Sequence, residues 1–461
     1  MKLVVLGAGP TGISVVNELL LNGISPSAIT IVDCREASFQ AKKTISKLTK
    51  SNAILATVLR ERQNKGLGKN GQNLSDIQSS IQSPSSYWGV SCFPPLGWGI
   101  GSKTFSRAEI KSSYTKVATE WQIQAENVPD KDFELSGEIL GGLTRKQLSL
   151  DLVKAGFGHH SRLAIATNRT LLSTGCKLNS NCFEGCPNSA PWNPDREISL
   201  LKTAHPEIKF CRQKITGIVL EERILVGSDH EIGYDKLFLG IGANQTRELV
   251  QPLFERSILI ENSPVMMVPL ITRRSSSEND YAKSFLFADL VVPYIKNEKL
   301  LSFLQIYLPT KEITGRVITQ LPRFVHRLLA NELFGVLKFI YRRVGVGMIF
   351  FESSSAHIEK LNKKVVKEIL WAHKNLLRNS GIILFPFFKR FLLNGASYHT
   401  GSIHFEGENM RGVDSQLYKD LAAHKVFITD TGALPFLPPG PHTSIAAALA
   451  RLIVKREMQW L

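Results

Sequence analysis

The chain has 461 residues, of which 43% are hydrophobic and 21% are charged. This composition excludes a globally disordered or collagen-like protein, and the length suits about two or three domains or one large composite enzyme. Lys and Arg outnumber Asp and Glu by 16. Such a surplus favours an anionic partner such as nucleic acid, acidic lipid or a charged substrate, without choosing among them.

The first residues predict a nucleotide-binding unit made of a strand, a glycine turn, a helix and a second strand. The strands are expected at residues 2–6 and 28–32, and the helix at 11–21. Between them, the run Gly7-Ala8-Gly9-Pro10-Thr11-Gly12 has the G-x-G-x-x-G spacing. Gly7 permits the tight turn, Gly9 lets the backbone approach a pyrophosphate, and Gly12 lets the helix pack on the strand.

An acidic residue, Asp33, ends the second predicted strand. Its carboxylate could accept hydrogen bonds from ribose hydroxyls, and it disfavours a 2′-phosphate. The N–H groups at the start of the helix would attract the phosphates. The alternative is a glycine turn in an unrelated α/β protein, but the order strand, turn, helix, strand and acid favours nucleotide binding.

Further along the chain, hydrophobic patterning predicts elements at several places. Strands are expected at 215–220, 224–226, 236–241, 285–294, 303–308 and 426–429, and helices at 145–173, 358–376 and 444–456. In the second of these helices the spacing predicts one apolar face, formed by Ile358, Leu361, Val365, Ile369, Ala372 and Leu376.

Two stretches near the carboxy terminus carry a recognisable order of motifs. The first, 396–402, contains His399 followed by Thr400-Gly401. The second runs from a strand ending at Asp430, through a loop containing prolines, to His442 and Thr443 before an alanine-rich helix. Together they resemble the carboxy-terminal signature of the glucose–methanol–choline (GMC) oxidoreductases.

Three other segments fit the same resemblance. The strand and turn at 234–246, with Gly242-Ala243, resemble the second flavin-domain strand of the family. Trp88 lies in a Ser-x-Trp-Gly element, and residues 182–187 resemble a Cys-x-x-Gly-Cys-Pro turn. There are also departures, because Pro84-Ser85 stands where a glycine pair is usual and the residues after His399 are not the commonest ones.

The resemblance implies an α/β fold in which a Rossmann-like FAD-binding domain carries an inserted α+β substrate domain. It divides the chain into 1–262 and 395–461 for the FAD-binding domain and 263–394 for the substrate domain. The implied cofactor is FAD. Its expected binding residues are Gly7, Gly9, Pro10, Thr11, Gly12, Asp33, Trp88, Gly242, Ala243, Asp430 and Thr443.

The same resemblance implies oxidation of a CH–OH group in an alcohol, a polyol or a sugar derivative. FAD takes a hydride in such reactions, and the protein supplies a base for the hydroxyl proton. An imidazole suits this task because its pKa lies near working pH. By resemblance His399 is the base, and His442 orients the hydroxyl. The small-molecule substrate could be anionic or lipid-linked, and the electron acceptor could be oxygen, a quinone or a protein.

Several alternatives stay open at this point. Cys176, Cys182 and Cys186 lie within eleven residues, which suits either a metal site or a tight turn with packed thiols, the turn being favoured. The altered loop at Pro84-Ser85 allows a second hypothesis, a catalytically degenerate FAD- or nucleotide-binding scaffold in a biosynthetic complex. Nucleic acid is not an expected partner, because no zinc finger, RNA-recognition motif or concentrated basic arm is present.

The expected location is the cytoplasm. Met1-Lys2 leads directly into a strand and glycines rather than into a secretory signal, and no stretch approaches the ~20 apolar residues of a membrane span. The basic, apolar stretches 324–343 and 385–391 are expected to be core with extended cations, or a surface that rests on the inner face of the membrane.

Overall fold

The structure is a computed structural model of the chain. The residues that it describes are 1–34, 91–92, 102–123, 159–160, 162–163, 190–273, 275, 288–296, 299–310, 313–314, 342–351, 363–378, 381–385, 390–392 and 400–459.

The described residues form helices and strands throughout the chain. The strands are β1 (Leu3–Leu6), β2 (Ile29–Asp33), β3 (Ser91–Cys92), β4 (His159–His160), β5 (Arg162–Leu163), β6 (Lys209–Arg212), β7 (Ile215–Val219), β8 (Ile224–Gly227), β9 (Glu231–Gly233), β10 (Lys236–Leu239), β11 (Ile258–Asn262), β12 (Val265–Thr272), β13 (Leu290–Lys296), β14 (Lys299–Tyr307), β15 (Val344–Phe351), β16 (Ile382–Leu384), β17 (Arg390–Leu392), β18 (Thr400–Phe405) and β19 (Val426–Ile428). The α-helices are α1 (Pro10–Leu21), α2 (Arg107–Glu120), α3 (Pro194–Ala204), α4 (Ala243–Val250), α5 (Lys363–Arg378), α6 (Gln416–Ala423) and α7 (Thr443–Met458).

A parallel sheet forms the first half of the architecture. Among the described residues it has five strands in the order β19-β10-β1-β2-β6. Its central strand β1 reads Leu-Val-Val-Leu and is buried along its whole length, as expected for a strand covered on both faces. Because the strands are parallel, their carboxyl ends lie along one edge, where ligands of such sheets bind.

Helices α1, α2 and α7 pack together through an ion-pair network. Arg451 of α7 is 1% exposed and pairs with Glu18 of α1, which is 3% exposed, at 3.2 Å. It also pairs with Glu120 at the end of α2. Lys116 of α2 lies 3.3 Å from the same Glu18 carboxylate. A buried ion pair therefore connects α1, near the start of the chain, with α7, near its end.

A second, antiparallel sheet forms the other half. Within the described ranges its strands run β16-β12-β15-β14-β13-β4, and β17 also pairs with β12. One face of this sheet packs against α5 in a separate hydrophobic cluster. The strand–turn–helix unit of the parallel sheet and this antiparallel layer agree with the predicted fold class.

The buried face of α5 agrees in part with the predicted one. The predicted helix is present, and Ile369 is buried as expected, whereas Val365 is 40% exposed. Val366, Leu370 and Leu377, which were not predicted, are buried beside Ile369. His373 is also fully buried, and its Nε2 lies 2.9 Å from the Ser302 hydroxyl of β14.

The helix predicted over 145–173 is also wrong where the structure describes it. His159 and His160 form β4 and pair with Val291 and Leu290, and residues 162–163 form β5, which pairs with β3. Pairing with strands distant in sequence overrides the local helical pattern. Among the described residues, no helix is long and apolar enough to cross a membrane.

Candidate active site

The glycine turn after β1 packs so tightly that side chains would not fit. Gly7 has φ of +97°, and a Cβ there would lie 2.6 Å from the carbonyl oxygen of Gly240. A Cβ on Gly12 would lie 1.9 Å from the carbonyl oxygen of Gly7. These contacts supply the physical reason for the glycine spacing: the turn needs a left-handed residue, and the helix approaches the strand closely.

The beginning of α1 offers backbone donors to a ligand. Gly9 is its N-cap, Pro10 is its first residue, and no side chain caps the helix or brings negative charge into its first turn. The first N–H groups of a helix lack partners within the helix, and the helix dipole makes that end attractive to anions. An anion-binding end therefore lies where the sequence predicts the pyrophosphate.

Asp33 ends β2, as predicted, and lies beside the glycine turn. Its Oδ2 accepts a hydrogen bond from the backbone N–H of Ala8 at 2.7 Å. Gly7 itself donates to the carbonyl of Val32 at 2.8 Å. The acid is thus held at the carboxyl edge of the sheet next to the turn, the position that a ribose-binding acid requires.

Asp430 joins two loops at the same edge. Its Oδ2 accepts hydrogen bonds from the N–H of Gly242 at 2.9 Å and from the hydroxyl of Thr246, and its Oδ1 accepts one from the N–H of Gly432 at 2.7 Å. Burial raises the pKa of Asp430 to about 6, against the opposing effect of these donors. Both oxygens of the carboxylate already accept hydrogen bonds from the protein. Any cofactor contact here would therefore come from the neighbouring backbone.

His442 is the most informative residue of the site. It is 1% exposed, it is the N-cap of α7, and its Nδ1 lies 3.2 Å from the carbonyl oxygen of Gly440. A carbonyl only accepts, so Nδ1 carries the proton and Nε2 is left with a lone pair. Nε2 is buried, and the part of the chain that the structure describes supplies no hydrogen-bond partner for it. Burial lowers the pKa of His442 to about 4, so the ring is neutral at pH 7.

A chain of contacts connects the glycine turn with the carboxy-terminal motifs. A Cβ on Gly240 would lie 3.1 Å from the backbone nitrogen of Gly12. Two residues further, the backbone N–H of Gly242 donates a hydrogen bond to the carboxylate of Asp430. Beyond Asp430, the carbonyl oxygen of Thr431 lies 2.6 Å from where Gly401 would carry a Cβ. Gly401 belongs to the first of the two carboxy-terminal stretches, so the described part of that stretch lies against the segment that follows Asp430.

The two helices that begin at this edge also lie level with each other. Both α1 and α7 follow strands of the parallel sheet. Glu18 lies nine residues beyond the N-cap Gly9, and Arg451 lies nine residues beyond the N-cap His442; these two residues form the buried ion pair. The first residues of the two helices are therefore at similar distances, along the helix axes, from the Glu18–Arg451 ion pair. His442 consequently lies at about the same height along these axes as the glycine turn.

The antiparallel sheet closes the site from the other side. Gly440 has φ of +107°, and a Cβ there would lie 3.0 Å from the ring of Phe303 in β14. Glu261 of β11 is fully buried, accepts a hydrogen bond from the N–H of Leu437 at 3.2 Å and forms an ion pair with Arg411. The loop that leads to His442 thereby contacts β14 of the antiparallel sheet and β11, which pairs with β18.

Local strain and further unpartnered groups accompany the site. Ser402 of β18 is fully buried with φ of +53°, a conformation that costs non-glycine residues energy and clusters at functional sites. Its hydroxyl and that of Ser444, in the first turn of α7, are buried, and no described residue forms a hydrogen bond with either of them. Polar groups of this kind are normally satisfied, so they suit a site that takes a polar ligand.

Sequence reasoning missed several residues that build the site. Gly240 was detectable, since a Gly-Ile-Gly-Ala run begins at the end of the strand predicted over 236–241. Glu261 gave no signal, because it is an isolated acid in an apolar strand. Asp414 gave none either; its Oδ1 accepts hydrogen bonds from the hydroxyls of Ser102 and Thr104 and thereby fixes the segment before α2.

Some predicted residues lie outside the described part of the chain. They are His399, Trp88 and the cysteines Cys176, Cys182 and Cys186. Pro84-Ser85 lies outside it as well. Within the ranges that the structure describes, no group of three or more His, Cys, Asp or Glu residues is arranged to hold a metal ion. Thr443 and Ala243 are each the first residue of a helix at the site, α7 and α4 respectively.

Solved structures share this architecture. The chain is 10% identical to an FAD-dependent oxidoreductase from Chaetomium thermophilum, with a TM-score of 0.53 over 99% of both chains. The chain has the fold of that FAD-dependent oxidoreductase. A pyridoxine 4-oxidase from Mesorbium loti aligns over 99% of both chains with a TM-score of 0.49 and 10% identity. No family model and no curated protein sequence matches the chain.

The flavin-oxidoreductase fold confirms the predicted fold class, a Rossmann-like domain combined with a second, antiparallel layer. In this fold the glycine turn, Asp33, Gly242 and the loop after Asp430 share the carboxyl edge of one parallel sheet. His442 is at the start of the last helix, facing the antiparallel sheet through Gly440 and Phe303.

Proposed function

We propose that this chain is a GMC-type oxidoreductase that binds FAD and oxidises the CH–OH group of a small alcohol, polyol or sugar derivative. The observation that carries the proposal is the buried Nε2 of His442, for which the described ranges contain no hydrogen-bond partner. Contacts through Gly240, Gly242 and Asp430 connect the loop before His442 with the glycine turn. Residues 1–262 and 395–461 would form the FAD-binding domain, and 263–394 the substrate domain.

The residues present fit FAD. A Cβ at Gly7 or at Gly12 would clash with the backbone, so these two glycines keep the tight turn and the close approach of helix to strand that a pyrophosphate site needs. The uncapped start of α1 would supply the N–H groups for the phosphates. Asp33 is placed for the ribose, and its negative charge opposes a 2′-phosphate. Gly242 and the backbone after Asp430 are rigidly held beside the turn. The fold neighbour described as FAD-dependent supports the same cofactor.

When bound, FAD would supply the acceptor for the hydride that leaves the substrate carbon. The protein then has to bind the hydroxyl, orient it and take its proton. His442 suits the first two tasks, because its Nδ1–H is held by Gly440 and its Nε2 lone pair is directed by that bond. A hydroxyl placed at Nε2 would donate to it.

The low pKa of His442 suits a hydrogen-bond acceptor better than a general base. A ring whose pKa is about 4 holds a proton weakly at pH 7, and it accepts a hydrogen bond more readily than it takes the proton. The base is assigned by the family resemblance to His399, which precedes β18 by one residue in the sequence. Thr400 pairs with Asn262 of β11, so the backbone next to His399 is held by a strand.

The start of α7 would contribute an electrostatic effect. Its N-terminal end carries no acidic residue and no capping side chain, so its positive end is directed at the site. Negative charge that develops near His442, on the substrate oxygen or on the reduced cofactor, would be stabilised there.

The decisive experiment is the absorbance spectrum of the purified protein, followed by anaerobic titration with a panel of alcohols, polyols and sugars. A flavin spectrum that is bleached by at least one panel member supports the proposal. Flavin that no member reduces would support the degenerate scaffold, and protein purified without flavin that does not take up FAD would refute the cofactor assignment.

Variants at the two histidines test the division of roles. His399→Ala is expected to retain FAD and to reduce the rate of flavin reduction by roughly 10²- to 10⁴-fold, the usual contribution of a general base. His442→Asn keeps a hydrogen-bond acceptor and should lose less than His442→Ala. Wild-type rates of flavin reduction in His399→Ala would show that the base is assigned wrongly.

A further inference from the structure

The antiparallel sheet has two faces with different neighbours. Side chains alternate between the faces along each strand. In β14, Leu304 and Ile306 lie on one face and pack in the hydrophobic cluster that includes α5. Phe303 lies on the other face and packs against Gly440, in the loop before His442. The second face is therefore turned towards the candidate active site.

The strand register shows which side chains accompany Phe303 on that face. Phe303 is paired with Phe350 of β15, Gln305 is paired with Met348, and Met348 in turn is paired with Met267 of β12. Paired residues, and residues two positions apart in one strand, share a face of the sheet. This surface is called the inner face here and is defined by Met267, Phe303, Gln305, Tyr307, Met348 and Phe350.

Part of the inner face is incompletely covered. Met267, Tyr307 and Met348 pack against the large hydrophobic cluster that contains the parallel sheet, yet each of them stays partly exposed. On the α5 side of the same sheet, Met266 and Ile349 are fully buried. The incomplete cover therefore lies where the two sheets meet.

This partly exposed surface is close to His442. Residues in diagonal positions on neighbouring strands are about 7–8 Å apart, within reach of long side chains. Met348 is diagonal to Phe303, and Phe303 packs against Gly440, whose carbonyl oxygen lies 3.2 Å from Nδ1 of His442. A molecule that places a hydroxyl at Nε2 of His442 would have its remaining atoms within reach of the inner face.

The inner face is mainly apolar and aromatic. None of its six side chains is charged. Its two polar members bind each other, because the hydroxyl of Tyr307 donates a hydrogen bond to Oε1 of Gln305 at 2.9 Å. The rings of Phe303 and Phe350 meet edge to face, with 6.4 Å between their centroids. Such a surface gains free energy when an apolar ring covers it.

A sugar or a polyol does not match this surface. These molecules carry a hydroxyl on nearly every carbon, and each hydroxyl needs a hydrogen-bond partner when it leaves water. The inner face offers a single Gln–Tyr pair, which already shares a hydrogen bond. The thioether sulfurs of Met267 and Met348, in contrast, suit contacts with an aromatic ring.

We propose that the substrate is an aromatic primary alcohol, whose ring lies on the inner face against Met267, Phe303 and Met348. The inference rests on the proposed function, because it names the substrate class of the same site. The CH–OH group beside the ring would be held at Nε2 of His442. On oxidation its C–H bond would break with transfer of a hydride to the bound flavin, its O–H proton would pass to the base, and an aromatic aldehyde would leave.

A comparison of three alcohols tests the substrate class on the full-length protein loaded with FAD. The second-order rate constants of anaerobic flavin reduction are measured for benzyl alcohol, hexan-1-ol and sorbitol. Discrimination by an apolar surface amounts to roughly 10- to 200-fold, so the constant for benzyl alcohol should exceed each of the others at least roughly tenfold.

The outcomes separate this inference from the proposed function. An equal or higher constant for hexan-1-ol or sorbitol would overturn the aromatic substrate class and leave alcohol oxidation standing. Flavin reduced by other alcohols or sugars of the panel but not by benzyl alcohol would do the same. Flavin that no alcohol reduces would overturn both.

Substitutions of the two methionines test the inner face itself. Met348→Gln and Met267→Gln keep the length of the side chain and replace the thioether by an amide. Each should lower the rate constant for benzyl alcohol by roughly tenfold, and that for ethanol, which is too short to cover the inner face, by much less. Met348→Leu keeps an apolar side chain and should stay close to the wild type. An equal loss with both alcohols, as a purely structural role would give, would contradict the proposal.

Met458→Gln is the matched control. Met458 is the last residue of α7, whose N-cap is His442, and it lies about 24 Å from His442 along the helix. This variant should keep the wild-type ratio between the constants for benzyl alcohol and ethanol. Flavin content and thermal unfolding show whether each variant is folded, and the comparison of the three alcohols decides the substrate class even where a variant is not. A change of the ratio in Met458→Gln as large as in Met348→Gln would overturn the role of the inner face.

Discussion

The hydroxyl of Thr246 donates a hydrogen bond to Oδ2 of Asp430 at 2.5 Å, across 184 positions of sequence. Thr246 lies in the first turns of α4, and Asp430 follows the last strand of the parallel sheet. With the bonds from Gly242 and Gly432, this contact makes the carboxylate the joint between two loops that would surround the cofactor.

Asp430→Asn should loosen this joint. An amide offers one acceptor atom where the carboxylate offers two, and its NH₂ group would oppose one of the donors. A buried donor left without an acceptor costs about 1–3 kcal/mol. We expect a lower free energy of unfolding and a smaller amount of flavin retained per protein, measured by chemical denaturation and by absorbance. Unchanged values for both would contradict the role of Asp430 as a joint.

Gly12→Ala should abolish flavin retention. The added Cβ would lie 1.9 Å from the carbonyl oxygen of Gly7, so α1 would have to move away from the turn that is proposed to hold the pyrophosphate. Gly217→Ala serves as the control, because a Cβ there meets only Val226 at 3.8 Å. The flavin content of the two purified variants is compared by absorbance, and full flavin content in Gly12→Ala would refute the close packing.

Acid should destabilise the protein partly through His442. Burial lowers its pKa from 6.5 to about 4 in the folded chain, so the unfolded chain binds more protons between these two values. Stability is therefore full above pH 6.5 and is lost as the pH falls towards 4, by up to about 3 kcal/mol from this residue.

The variant His442→Asn removes that contribution. The difference in unfolding free energy between pH 7.5 and pH 4.5, measured by urea denaturation, should be smaller in the variant than in the wild type. The buried His373, whose pKa burial lowers to about 3, stays in both proteins and so does not affect the comparison. His230→Asn, at an exposed position, is the control and should behave as the wild type does.

Arg451→Ala should be strongly destabilising. It leaves the buried Glu18 carboxylate with the half-exposed Lys116 and the amide of Asn22 beside it, and breaking a buried ion pair from one side costs about 3–5 kcal/mol. The double variant Glu18→Leu/Arg451→Leu removes both charges and should recover much of the loss. Chemical denaturation of the single and double variants measures the difference; equal stability of both would argue against an uncompensated charge.

Part of the site could be predicted from the sequence because its conformation depends on residues that are close together in the chain. The turn from Gly7 to Gly12 follows a strand and opens a helix, and its glycines are needed by backbone geometry within a few residues. Asp33 and Gly242 follow buried strands, and parallel strands bring their carboxyl ends to one edge. The short strands at 159–160 and 162–163, in a range predicted to be helical, escaped prediction because their partner strands lie far away in the sequence.

The sequence alone determined the nucleotide-binding unit, the strand–acid–loop–histidine order of the carboxy terminus and the overall fold class, since spacing and hydrophobic period depend on neighbouring residues. Three features were decided only by the tertiary structure. The carboxylate of Asp430 accepts hydrogen bonds from the protein itself, Glu261 holds the loop before His442, and Trp371 of α5 is exposed to solvent. Each of these features results from packing between segments that are far apart in the chain. The free energy of folding there depends on burial and on the number of available hydrogen-bond donors rather than on the local sequence pattern.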